Sequence, residues 1–245
     1  MKPIGIVSAL AAEARTLGPA APHGVGIGRL DDGALLAVSG IGGAAAAAAA
    51  RKLVLAGASA LASFGMAGGL DPVLICGAVL LPEEVAALDG ENPTAATSSQ
   101  WRQRVRAALP ASCSAGGGRL LTSARPLGRD AKALAWRSSH AAAVDMESAA
   151  IALVAAQAGL PFIALRVIVD TAFDELPRAV IAASGGGRLR IGRLLAGLAS
   201  APGEVGALIR LSARYRIASR VLMAVARPGS PARRALVGGP AAGVS

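Results

Sequence analysis

The sequence predicts an α/β fold: one domain built on a β-sheet covered by helices on both faces, followed by an Arg-rich helical extension. Three observations carry this. Short apolar runs alternate with longer helix-like ones, the pattern of a sheet whose central strands are buried on both sides. Hydrophobic residues make up 53% of the 245, ample for one large core. Charge is split along the chain: residues 1–177 carry 14 Lys/Arg and 14 Asp/Glu, whereas residues 178–245 carry 11 Arg and a single acid, Glu204, so the whole excess of +10 lies in the last 68 residues.

In chain order, strands are expected at 3–8, 34–39, 60–65, 74–80, 118–122, 142–146 and 161–168. Residues 43–56 read as an Ala-rich helix, since Ala favours helix and lets it lie close to a sheet. Shorter amphipathic helices are expected at 99–108 and 128–137, and another at 147–158, ended by Gly159-Leu160-Pro161. Beyond residue 183 the texture changes. Ser184-Gly185-Gly186-Gly187 breaks the chain, 188–199 and 203–226 read as Arg-bearing helices, and 228–245 reads as a flexible tail. The expected divisions are 1–183 for the main domain, 184–227 for the basic extension and 228–245 for the tail.

Several classes are disfavoured. Aromatic residues are 2% of the chain, too few for a nucleic-acid surface built on stacking. Cys76 and Cys113 lie far apart without metal-ligand spacing, so no zinc site or disulfide framework is expected, nor any metal or organic cofactor. The opening Met1-Lys2-Pro3-Ile4-Gly5-Ile6-Val7 enters a strand without the apolar core of a secretory signal, giving the expectation of a cytoplasmic protein. The charge-free runs 33–50, 53–70 and 148–165 are interrupted by Gly or Pro and rich in Ala, and are read as strand–helix pairs rather than membrane spans. His23 and His140 fit no triad or ligand pattern.

Four segments bear on chemistry. Glu13 follows the first strand at the start of a helix, where alone it is a dipole-stabilising first-turn residue. Val38-Ser39-Gly40-Ile41-Gly42-Gly43 ends a strand in a Gly-rich turn whose N–H groups suit an oxyanion or a sugar hydroxyl. The turn also looks like a dinucleotide fingerprint, but the next strand, 60–65, lacks the acidic residue that would complete it. Phe64-Gly65-Met66-Ala67-Gly68-Gly69-Leu70 is a second Gly cluster, read either as a tight turn or as close backbone approach to a ligand. The fourth segment pairs Val144-Asp145-Met146-Glu147-Ser148-Ala149-Ala150 with Leu165-Arg166-Val167-Ile168-Val169-Asp170-Thr171. Arg166 and Asp170, four apart on an extended run, share one face if the strand is regular, as a structural salt bridge or as a functional pair.

Taken together, these segments resemble the nucleoside phosphorylase and nucleosidase family that includes methylthioadenosine/S-adenosylhomocysteine nucleosidase. The matches are Ala9-x-x-x-Glu13, Ser39-Gly40-Ile41-Gly42, Gly65-x-Ala67-Gly68-Gly69-Leu70, Val144 to Ala150 and Arg166-x-x-x-Asp170, in order over residues 1 to about 175. Within the family the chain is most similar to the hopanoid-associated phosphorylases, through Asp145, the stretch Asp170 to Pro177 and the Arg-rich extension. The resemblance implies a mixed sheet, cleavage of the N-glycosidic bond of a purine nucleoside such as adenosylhopane, and a homo-oligomer. It implies Asp170 as the acid that protonates the base, Arg166 as its positioner, and Glu13 as base toward water. Glu147 and Met146 would bind the ribose, with Ser39, Gly42, Gly68 and Thr122 completing the substrate site. Phosphate is the alternative nucleophile, as co-substrate.

The chain departs from the family in three places. Ser63-Phe64 stands where hexameric phosphorylases carry a phosphate-binding Arg. Val169 stands where nucleosidases have Ser before the acid. Leu121 to Pro126 stands where they place a stacking Phe. The basic helix 203–226 suits a solvated face, an anionic membrane surface or, by charge alone, nucleic acid, and the inactive-scaffold alternative would keep the membrane surface without the chemistry.

Overall fold

The computed structural model describes residues 2–19, 21–22, 24–90, 93–176 and 205–240. Four buried residues in succession make β1 (Gly5–Ser8) and β3 (Leu35–Val38) central strands, and they run parallel. β2 (Gly26–Arg29) pairs antiparallel outside β3, alternating half-buried and exposed residues as an edge strand should. The long β4 (Leu61–Gly69) organises the sheet. Its first residues pair with β1 and its last with β10 (Ala143–Asp145), while β11 (Phe162–Asp170) runs parallel along it from Leu61 to Gly68.

β5 (Val79–Leu80) joins β11 antiparallel and carries β8 (Ala115–Gly116). Beyond β10 the sheet continues through β9 (Arg119–Thr122), β6 (Glu84–Ala87) and β7 (Ala95–Ala96). The described strands thus form one mixed eleven-stranded sheet flanked by helices in a single domain, as expected.

Two apolar layers cover it. On one face Val7, Leu35 and Leu61 meet Ala46, Ala50 and Leu53 of α2 (Gly43–Leu55) and Ile151 and Ala155 of α5 (Ser148–Gln157). Small residues let these helices touch: a Cβ on Gly43 would lie 3.4 Å from that of Ala150. On the other face Ile6, Leu36, Phe64, Leu165 and Val167 meet Trp101 and Val105 of α3 (Ser99–Ala107) and Leu222 and Val225 of the C-terminal helix α6 (Val205–Ala226). The short α1 (Ala11–Ala14) follows β1, and α4 (Arg129–Ser139) precedes β10.

The flexible tail expected over 228–245 is corrected for its first part. Ser230 caps a helix, α7 (Pro231–Val237), by accepting a 3.1 Å hydrogen bond from the Arg233 N–H, and Pro231 opens it. Ala232, Arg233 and Leu236 are buried, and the Trp101 indole N–H donates to the carbonyls of Ala235 and Leu236, both at 3.1 Å. Arg233 pairs with Asp32 at 2.6 Å and donates to Leu17 O at 2.9 Å. Burial of this stripe makes α7 part of the core. The helix expected over 188–199 and His23 lie outside the described residues. Among those residues no helix is long and apolar enough to cross a membrane.

Candidate active site

The parallel strands β1, β3, β4 and β11 all end at one edge of the sheet, where α/β proteins place ligands. The loops leaving them enclose a cavity of about 300 Å3 whose wall includes Glu13, Met66, Glu147, Asp170 and, from α6, Leu211 and Tyr215.

Arg166 is the hub beneath this cavity, 2% exposed. Its Nε and Nη2 donate to Asp145 Oδ2 at 2.9 and 2.7 Å, and Nη2 also donates to the hydroxyls of Ser63 (2.7 Å) and Ser148 (3.0 Å). Asp145 in turn accepts at Oδ1 from the Thr122 hydroxyl (2.7 Å) and from the N–H groups of Glu147 (3.3 Å) and Ser148 (3.2 Å). This ties the end of β10 and the start of α5 to β11. Ser63, where a phosphate-binding Arg would stand in the hexameric phosphorylases, serves as an acceptor for Arg166.

Close packing requires glycine at 65. A Cβ there would lie 2.7 Å from Arg166 Nη1 and 2.8 and 2.9 Å from the two Glu13 oxygens. The second Gly cluster is therefore a site of close approach by charged side chains rather than a turn. Glu13 is 5% exposed, and its Oε2 accepts from Ser8 Oγ and Leu10 N, both at 3.2 Å. Its Oε1 accepts from Met66 N at 3.0 Å. Burial raises its pKa, against the opposing pull of Arg166 and these donors. Burial and the adjacent Asp145 push Glu147 up to about 7, against Arg166 and the Gly42 N–H, which donates to Glu147 Oε1 at 2.8 Å. Two carboxyls thus differ from ordinary surface acids, the signature of functional sites.

Asp170 is buried at the end of β11 and forms an ion pair with Lys132 of α4, which is equally buried. Lys132 Nζ also donates to Thr171 O at 2.9 Å. Two expectations are corrected here. Arg166 holds Asp145, not Asp170, and the even spacing of 166 and 170 does not put them on one face, because β11 bulges. Arg166 is in register with Gly65 and Ile168 with Ala67, but Asp170 with Gly68, leaving Val169 as an extra residue.

The remaining expected residues divide. Met146, Glu147 and Gly68 line the cavity. Gly68 lies under Asp170, whose Oδ1 would be 3.3 Å from a Cβ there. The Gly42 N–H is committed to Glu147 rather than open to a ligand, at a φ of 101° that favours glycine. Ser39 donates to Gly40 O at 2.7 Å, and Thr122 also accepts from Ala149 N at 2.9 Å, so both hydroxyls are spent on the scaffold. Sequence reading missed Lys132, Ser63, Ser148 and the two α6 residues. Arg125 and Pro126, from the segment set by sequence resemblance against the stacking Phe of the nucleosidases, line the cavity, with Leu127 beside them.

A family model described as "Phosphorylase superfamily" matches residues 3–185, which include all of these acids and Arg166. The chain belongs to the phosphorylase superfamily. Among solved structures, superfamily-like folds include a 5′-methylthioadenosine/S-adenosylhomocysteine nucleosidase from Neisseria meningitidis in complex with methylthio-immucillin-A. It has a TM-score of 0.70 and 22% identity, covering 92% of this chain and 97% of that one. The futalosine hydrolase of Helicobacter pylori strain 26695 has a TM-score of 0.62 and 18% identity, with coverage of 86% and 97%. The 5′-methylthioadenosine/S-adenosyl homocysteine nucleosidase of Campylobacter jejuni has a TM-score of 0.64 and 18% identity, with coverage of 90% and 100%. No curated protein matches the chain significantly. Within the superfamily the sheet-edge carboxylates are therefore set in the expected fold.

Proposed function

We propose that this superfamily member cleaves the N-glycosidic bond of a purine nucleoside with water as the nucleophile, adenosylhopane being the substrate that its sequence resemblance implies. The observation that carries this reading is the convergence of Glu13, Asp145, Glu147 and Asp170 at one cavity, with its buried cations already engaged by carboxylates.

Breaking the bond builds positive charge on the ribose and negative charge on the departing base. Carboxylates around the sugar stabilise the first. Glu147, held by Gly42, faces the cavity as an acceptor for ribose hydroxyls, with Met146 beside it. Glu13 has its raised pKa through burial, which makes it a better base toward a water than a surface acid. Asp170, across the cavity wall, passes a proton to the ring nitrogen of the base as it leaves.

Phosphate would meet Glu13 and Glu147, while Arg166 Nε and Nη2 are engaged by Asp145, Ser63 and Ser148 and Lys132 by Asp170; water meets no such repulsion. Apolar lining from Ile41, Met66, Leu176 and Leu211 suits an apolar group on the ribose. On α6, Ile209, Ile217 and Met223 are exposed beside Arg210, Arg216 and Arg220, which supports a peripheral position on an anionic membrane for a lipid-linked substrate.

The test is base release followed chromatographically from adenosylhopane and from 5′-methylthioadenosine in parallel. Release of adenine from either substrate is expected, faster from adenosylhopane. Release from methylthioadenosine alone would remove the lipid-linked assignment, and release from neither would remove the enzyme reading in favour of the inactive scaffold.

A further inference from the structure

We propose that Lys132 holds the proton that Asp170 delivers to the departing base, so that the two side chains act as one proton-holding pair; this rests on the glycosidic-cleavage reading above. The need is chemical. A carboxylate engaged by an ammonium carries no proton, yet base departure requires one at Asp170. The nearest source is the ammonium, whose Nζ touches the same Oδ2. Lys132 is 1% exposed, its Cε lies 3.4 Å from a Cβ built on Gly68, and its Nζ is further fixed by Thr171 O at 2.9 Å. It shares the cavity wall with Asp170, so the pair opens directly onto the substrate.

A purely structural role fits less well. A buried ion pair adds little stability over apolar residues of similar size. Arg would form such a pair through a planar fork and would hold its protons; Lys holds a compact ammonium that can release one.

The step balances. As the bond between the ribose carbon and the base nitrogen breaks, its electron pair passes to the base. Asp170 takes a proton from Lys132 Nζ and passes it to a ring nitrogen, which leaves Asp170 a carboxylate and Lys132 a neutral amine. Water attacks the ribose carbon and loses its proton to Glu13. The proton gained by Glu13 and the one lost by Lys132 re-equilibrate through solvent, leaving free base and sugar. Lys132 is a positioning residue that acts through Asp170.

The test compares native protein, Lys132→Arg and Lys132→Met with 5′-methylthioadenosine. A proton needed only in the transition state lowers kcat and leaves KM alone. Both variants are expected to lose kcat about 100-fold or more, the scale of general acid catalysis, with KM within about threefold of native. Retention of kcat by Lys132→Arg within about threefold would show that charge suffices and would overturn the proposal. So would a loss expressed in KM with kcat preserved. A native protein that releases no base from 5′-methylthioadenosine, nor from adenosylhopane assayed beside it, would instead overturn the cleavage reading on which the proposal rests.

Discussion

Gly65 shows how little freedom the site leaves to a single residue. Its missing side chain is the space in which the Arg166 guanidinium and the Glu13 carboxylate meet, and a methyl group there would contact charged atoms at 2.7 to 2.9 Å. Gly65→Ala is expected to lower base release at least 100-fold by displacing Glu13 from Met66 N, while the two apolar layers keep the fold. Activity measurement beside circular dichroism checks this, and unchanged activity would detach Glu13 from the reaction. Glu147 adds a pH dependence. Its pKa is raised from 4.5 to about 7 on folding, so the fold favours the neutral form. Its contribution to stability is complete below about pH 4.5 and is lost as pH rises through about 7. The span corresponds to about 3 kcal/mol in order of magnitude. Denaturant unfolding of Glu147→Gln across that window is expected to show a correspondingly shallower decline than the native protein, and an identical decline would contradict the assignment. Lys132 illustrates what sequence reading misses at this scale. It sits on an expected helix, 38 positions before Asp170, and its partner is set only by the way α4 packs beside the end of β11.

Among the elements, periodicity located the long, buried ones because four or more consecutive apolar residues can be read without knowing their neighbours. β4, expected at 60–65, extends to Gly69 since the Gly cluster remains extended against β11. β7 and β8 have two residues each and no period to read, while β2 is interrupted by Gly26 and Gly28. The bulge at Val169 left no trace in composition, and it separates Asp170 from Arg166. The signal for α7 was present in Ser230-Pro231, an N-cap and an opening Pro, but the surrounding Gly and Ala obscured it. That helix leans on Trp101. Trp101→Phe keeps much of the buried ring but removes the donor shared by the carbonyls of Ala235 and Leu236. Thermal unfolding is expected to report a loss of about 1–3 kcal/mol, the cost of leaving buried acceptors unmet. No change would mean that α7 does not depend on this contact.

For the molecule as a whole, the uneven charge acquires a structural meaning. α6 uses Ala218, Leu222 and Val225 to close one face of the sheet and offers Leu211 and Tyr215 to the cavity. Its Arg residues at 210, 216 and 220 are exposed. This helix is thus core, site wall and basic surface together. If that surface meets a membrane, the protein floats with vesicles containing anionic phosphatidylglycerol, and the triple change of these Arg residues to Glu abolishes flotation. Native protein that stays in the soluble fraction would remove the membrane position and leave the chemistry untouched. The central claim, cleavage by water between Glu13 and Asp170, is tested most directly by adenine release from 5′-methylthioadenosine in phosphate-free buffer, for the native chain, Glu13→Gln and Asp170→Asn. Release by the native chain without phosphate, lowered at least 100-fold in each variant, is the predicted result. Release that appears only when phosphate is added, or that survives both substitutions, would contradict it.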